Sequence, residues 1–232
     1  MQITQTKLGL RLSQHGVVIS ELRTSPGPTH SVFDVLAALM MLLRPAGRLG
    51  VLGFAGGGMF APLQALGMKT TFSTVDLDRE SYELFCRHCP AWVSQVRWQQ
   101  ADARQWLRRQ KTGFDFLLED LSVPQAGDVV KPEISWRVLP ALIRRRLKRN
   151  GVAVFNLVSP PAEGWRYGLE QITREFRTAQ MVYLDDFENR IVIAGAELPT
   201  PGNLSRGLRR LLRQLRSRQA ERVRVRRIPP GK

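Results

Sequence analysis

Four segments in the first half of the chain carry residues that could do chemistry on a nucleoside. GRLGVLGFAGGG closes an apolar run with Gly56, Gly57 and Gly58, FSTVDLD sets Asp76 at the end of a second run, VRWQQADA sets Asp102 after a third, and FDFLLED ends a fourth at Asp120. Glycines after a strand permit positive φ and let backbone approach a ligand closely. A carboxylate about 20 residues further on, at the end of the next strand, can accept hydrogen bonds from both hydroxyls of a ribose. Asp102 has two roles open to it, a helix N-cap and a contact to adenine, and the two can coexist. Asp120 closes an apolar strand where open α/β sheets bind their ligands. No Gly-Lys-Ser/Thr follows the glycines, which argues against triphosphate chemistry.

The elements that must position these residues alternate. The hydropathy pattern predicts strands near 48–54, 69–75, 95–99, 114–119, 151–158, 179–185 and 190–196, and helices near 60–67, 78–89, 103–110, 133–148 and 165–177. Alternation of this kind implies a mostly parallel sheet covered on both faces. The last two strands are too close for a crossover helix, so Asp185 to Asn189 should turn a hairpin and add an antiparallel strand. The expected fold class is α/β, Rossmann-like, with seven strands ending in that hairpin.

Ahead of it, two short strands around His15-Gly16 form a small N-terminal β-hairpin. A helix should follow to about Leu43, capped by Thr29 or Ser31 and stopped at Pro45-Ala46-Gly47. The expected division is 1–46 for hairpin and helix, 47–197 for the nucleoside-binding domain and 198–232 for a linker and tail.

The chain has 232 residues, enough for one well-filled core, and a net charge of +15. Leu204 to Lys232 holds ten Arg, one Lys and one Glu, so +10 of that charge lies in the tail. Pro199, Pro201 and Gly202 read as a linker, Asn203 as a cap, and Leu204, Leu208, Leu211, Leu212 and Leu215 as one apolar stripe on an Arg-covered helix. Val223 to Lys232 reads as frayed. The stripe can dock on the body or on a second copy in a homodimer, and the arginines suit a nucleic acid or an anionic surface.

The opening residues show no signal-peptide pattern and the apolar run Val35–Leu43 is too short for a bilayer, so the expectation is a cytoplasmic protein without a transmembrane segment. Cys86-Arg-His-Cys89 lies in a helical stretch. With three histidines in the whole chain it does not make a four-ligand zinc site without carboxylates, so no metal is expected and packing is the first reading of both cysteines.

On these residues the run from Lys7 to Glu197 resembles the spermidine synthase family and its spermidine-synthase-like relatives, a branch of the class I S-adenosylmethionine-dependent transferase fold. The resemblance implies that Gly56, Gly57 and Gly58 line the aminopropyl or methionine part of the cosubstrate, that Asp76 binds ribose, that Ala101-Asp102-Ala103 contacts adenine, with Asp102 and Ala103 as binding residues, and that Asp120 is catalytic. The implied cosubstrate is decarboxylated S-adenosylmethionine or S-adenosylmethionine, and the implied partner a small-molecule amine or other acceptor, as in polyamine biosynthesis.

Three positions depart from the family. The Asp of its glycine motif is Gly58 or Met59 here, its second carboxylate motif becomes Leu121-Ser122-Val123-Pro124, and the Gln expected after His15-Gly16-Val17-Val18 is Ile19. Burying the two ammonium groups of putrescine without paired carboxylates costs several kcal/mol each, on the order given for buried ions, so the acceptor should be another amine. Methyl transfer and a non-catalytic nucleoside-binding protein are the two alternatives.

Overall fold

The computed structural model describes residues 1–44 and 46–229. Pro45, expected to help stop the first helix, lies outside the described residues, as do Pro230, Gly231 and Lys232. The N-terminal sheet has three antiparallel strands, β1 (Gln2–Thr6), β2 (Gly9–Gln14) and β3 (Val17–Arg23). One more strand than expected forms because Gln2–Thr6 pairs along the outer edge of β2. Helix α1 (Val32–Leu43) is capped by Ser31, whose Oγ accepts from the Phe33 amide at 3.4 Å.

The main domain follows as β4 (Leu49–Leu52), α2 (Phe60–Ala65), β5 (Phe72–Asp76), α3 (Arg79–His88), β6 (Val96–Gln100), α4 (Ala103–Arg109) and β7 (Phe114–Glu119). Next come a small hairpin, β8 (Val123–Gln125) and β9 (Asp128–Val130), then α5 (Glu133–Arg137), α6 (Leu139–Arg146), β10 (Leu147–Leu157), α7 (Gly164–Thr173), β11 (Thr178–Leu184) and β12 (Phe187–Gly195). The tail supplies α8 (Pro201–Gln214) and β13 (Val223–Arg227). The large sheet runs β13-β11-β12-β10-β7-β4-β5-β6, with β6, β5, β4, β7 and β10 parallel to one another and the remaining pairings antiparallel. This is the expected Rossmann-like α/β sheet with its closing hairpin, extended by an eighth strand.

Two differences have simple causes. The single helix expected over 133–148 is divided into α5 and α6, because Pro140 has no amide to bond the Trp136 carbonyl. The hairpin β8–β9 lies where the hydropathy pattern predicts no element; it closes through Ala126 and Gly127, both at positive φ (49° and 83°), the geometry of a tight two-residue turn.

The tail is the largest correction. Val223–Arg227 is a strand paired antiparallel with β11, because Val223 and Val225 alternate with arginines and turn inward onto the core. Thr200, not Asn203, caps α8, and Pro201 of the expected linker is its first residue, where a missing amide is no loss. Leu204, Leu208, Leu211, Leu212 and Leu215 are all buried in the cluster that contains α1, so the stripe docks on the body. Leu208 has 0% exposure; Leu208→Ala should cost about 2–5 kcal/mol, read as a fall in denaturant midpoint at unchanged slope. An unchanged midpoint would show that α8 is dispensable to the core. Among the described residues no helix is long and apolar enough to cross a membrane.

Candidate active site

The strand order reverses direction at β4, with β5 and β6 on one side and β7 and β10 on the other, and such a switch point opens a crevice at the strands' carboxyl ends. A cavity of about 350 Å³ lies there, within the range of small-molecule sites. Asp76 at the end of β5, Asp102 and Ala103 after β6, and Asp120 after β7 all line it. Ile19 and Gln14 reach it from the N-terminal sheet, Ser122, Val123 and Pro124 from the β8 side, and Pro132 and Ile134 from α5 and its approach.

Gly56, Gly57 and Gly58 are not among the cavity-lining residues. Their neighbours explain the glycine requirement. A Cβ on Gly56 would stand 2.9 Å from Leu22 and 3.0 Å from Leu12, one on Gly57 2.9 Å from Phe54, and one on Gly58 3.0 Å from Phe33. The run is therefore small because the N-terminal sheet and an aromatic cluster press against it, where a ligand was expected. The glycine at the cavity is Gly53, with φ of 89° and a would-be Cβ 2.5 Å from the Asp120 carbonyl. It lets the β4 and β7 ends close on one another.

Asp76 holds the loop that follows Gly53. Its Oδ2 accepts from the amides of Phe54 at 2.6 Å and Ala55 at 3.0 Å, and its Oδ1 from the Asp78 amide at 3.0 Å. Asp102 is the N-cap of α4, accepting from the Arg104 and Gln105 amides at 3.0 and 3.1 Å through Oδ1. Burial pushes its carboxyl up, but these hydrogen bonds and the Arg104 charge outweigh that and leave it below the usual range.

Asp120 lines the cavity from the end of β7. Its Oδ1 accepts from Asn156 Nδ2 at 2.7 Å, and Asn156 Oδ1 accepts in turn from Asn189 Nδ2 at 3.0 Å. Oδ2 has no protein partner among the described residues. Burial, with the nearby charges of Glu119 and Asp76, pushes its carboxyl up to about 7, although Lys131 and the Asn156 bond pull downward. A carboxylate poised near neutrality, oriented by an amide and open on one oxygen, is fitted to accept a proton.

Beside it lies a buried ion pair that the sequence did not reveal. Lys131 Nζ reaches both oxygens of Glu119, at 2.9 and 2.8 Å, with both side chains wholly inaccessible. Ser135 Oγ and the Leu121 amide also donate to Glu119. The pair ties β7 to the segment after β9 and so fixes the backbone on either side of Asp120. Asn156 and Asn189 were missed as well; a polar residue in the otherwise apolar GVAVFNL of β10 was the available signal.

Cys89 is buried and its thiol donates to the Arg23 carbonyl at 3.3 Å. Burial first, and the neighbouring Cys86 second, push it up to about 11, which disfavours the reactive thiolate. No cluster of three or more His, Cys, Asp or Glu able to hold a metal occurs among the described residues.

Sheet order and crevice together define a Rossmann-like α/β fold of the methyltransferase type. The particular likenesses are to solved structures. A probable spermidine synthase from Corynebacterium glutamicum superposes with a TM-score of 0.72 at 15% identity, over 97% of this chain and 86% of that one. A spermidine synthase in complex with the transition-state analogue AdoDATO gives 0.63 at 16% identity, over 86% and 74%. Human methyltransferase-like protein 13 in complex with SAH gives 0.61 at 18% identity, over 88% and 94%. No protein-family model matches the chain, and no curated protein sequence does.

Proposed function

We propose that the chain is a transferase that takes a group from a sulfonium nucleoside, with aminopropyl transfer from decarboxylated S-adenosylmethionine to an amine other than putrescine as the favoured reaction. The observation that carries this reading is Asp120, with one oxygen bound by Asn156 and the other without a protein partner among the described residues, in a cavity shared with Asp76 and Asp102. The sulfonium cosubstrate supplies its own leaving group. The protein's part is then to hold the nucleoside, align the acceptor and keep its nitrogen unprotonated.

Each residue has a definite task in this scheme. Asp76 retains acceptor capacity for the ribose hydroxyls after satisfying three backbone amides, since a carboxylate offers about four lone-pair sites. Asp102 and Ala103, which line the same cavity, are assigned to adenine. Asp120 takes the proton released by the attacking amine. Lys131 already places a cation beside Asp120, and Ile19, Val123, Pro124 and Ile134 make the cavity lining there apolar. A second ammonium would be buried without a partner there, which disfavours a diamine. Likeness to two spermidine synthases supports the aminopropyl reading, and likeness to a methyltransferase complexed with SAH supports methyl transfer as the second. The free cysteines Cys86 and Cys89 suit a reducing compartment, and we read the protein as cytoplasmic.

Calorimetry with decarboxylated S-adenosylmethionine, S-adenosylmethionine and methylthioadenosine tests the scheme. The decarboxylated form should bind best; preference for the carboxylated form would favour methyl transfer, and no binding by any of them would overturn the nucleoside reading. Asp76→Ala should weaken the preferred ligand by about tenfold or more, as expected for losing hydrogen bonds to a charged group. Equal affinity would remove Asp76 from the site.

A further inference from the structure

The docked tail creates a surface on the large sheet that group transfer does not use. Across β12, β11 and β13, Arg190 is opposite Tyr183 and Tyr183 is opposite Arg224; two residues along, Met181 is opposite Arg226. Strand alternation places Arg190, Tyr183, Arg224 and Arg226 on one face. The Arg190 guanidinium lies 4.0 Å from the centroid of the Trp165 ring, at the start of α7, and that of Arg226 lies 5.3 Å from the centroid of Tyr183.

Arg224 is bridged to Asp185 at 3.1 Å, whereas neither Arg190 nor Arg226 pairs with a carboxylate among the described residues. Burial and the nearby charge of Arg226 both hold the Arg190 guanidinium below its ordinary range. Two like charges are therefore kept close together and uncompensated, each over an aromatic ring. Arg213, by contrast, meets Glu221 beyond the end of α8, the ordinary pairing of an exposed arginine.

We propose that this arginine and aromatic strip binds single-stranded nucleic acid, with Arg190 and Arg226 on phosphates and Trp165 and Tyr183 offering ring faces to bases. Guanidinium groups suit phosphate oxygens, and unpaired bases stack on aromatic and guanidinium planes in a way that a duplex does not allow. Charge complementarity selects a polyanion, and the rings select one with exposed flat bases over an acidic peptide or a lipid headgroup. The strip begins beside the carboxyl end of β10, where Arg190 pairs with Leu157, so the bound strand would lie on the crevice side of the sheet.

The test uses the full chain and a fluorescein-labelled oligouridylate of about 16 nucleotides, a length within single-strand site sizes. Anisotropy should report binding that weakens steeply with salt. The double variant Arg190→Gln, Arg226→Gln should reduce the logarithmic salt slope by about 1.4, two single-strand phosphate contacts at about 0.7 each. Photo-crosslinking of thiouridine-substituted oligomer to the unaltered chain should label Trp165 or Tyr183, which keeps the proposal testable if the double variant does not fold. An unchanged slope, crosslinks confined to α8, or equal or tighter binding of a duplex, polyglutamate or phosphatidylserine vesicles would overturn it.

Discussion

Asp120→Asn should lower turnover by on the order of 10²–10⁴-fold, the range of a lost general base, while leaving affinity for the nucleoside within a few-fold. The substitution keeps the shape and retains an oxygen for Asn156 Nδ2 to meet, but removes the carboxylate proposed to accept the proton. On the proposed mechanism the rate of the unaltered chain should rise with pH and reach half its plateau near 7, because Asp120 is pushed up to about 7 and a general base must be ionised to accept a proton.

Stability should move in the opposite direction. The unfolded carboxyl ionises near 4, so between about pH 4 and 7 the folded state binds the extra proton and stability declines as pH rises. Above pH 7 the full penalty of holding a buried charge is present, and Asp120→Asn should melt at a higher temperature than the parent there and not below pH 4. Rates and melts across this range decide the matter. Unchanged turnover would remove Asp120 from the chemistry, and a flat stability difference would show that its burial is not what raises it.

Lys131→Met should be among the most destabilising single changes in the molecule, costing about 3–5 kcal/mol. Glu119 would keep the Ser135 hydroxyl and the Leu121 amide but lose its counter-ion in a place that water does not reach. Changing both partners, Glu119→Gln with Lys131→Met, should recover much of the loss, since what is costly is the uncompensated charge. The single variant, where it folds, should also move the midpoint of the rate profile upward, because the Lys131 charge pulls Asp120 down. A denaturant titration showing under about 1 kcal/mol of loss, the scale of an exposed pair, would mean that the bridge is solvated.

Asp76, Asp102 and Asp120 were legible because each follows a strand-like run, and in a parallel sheet the ends of such runs gather at one edge. Local sequence carries that information: the strand's composition and its terminus are both within a few residues of the acid. The glycines were legible as a turn but not as a surface. Which of Gly53, Gly56, Gly57 and Gly58 faces the cavity depends on Leu12, Leu22 and Phe33, which arrive from segments more than 20 residues away. Gln14 likewise reaches the cavity from β2, so an amide is present on the N-terminal sheet although Ile19 occupies the place where one was expected on β3.

The sequence by itself determined the alternation of strand and helix, the closing hairpin, the acidic strand ends and the apolar stripe of α8, because each rests on periodicity or on a residue's own backbone and solvation preferences. Only the tertiary structure decided that Val223–Arg227 adds an eighth strand, that Lys131 neutralises Glu119, and that Asn156 and Asn189 orient Asp120. These are pairings between distant segments, and their energies depend on desolvation and register, which arise once the sheet has brought the partners together.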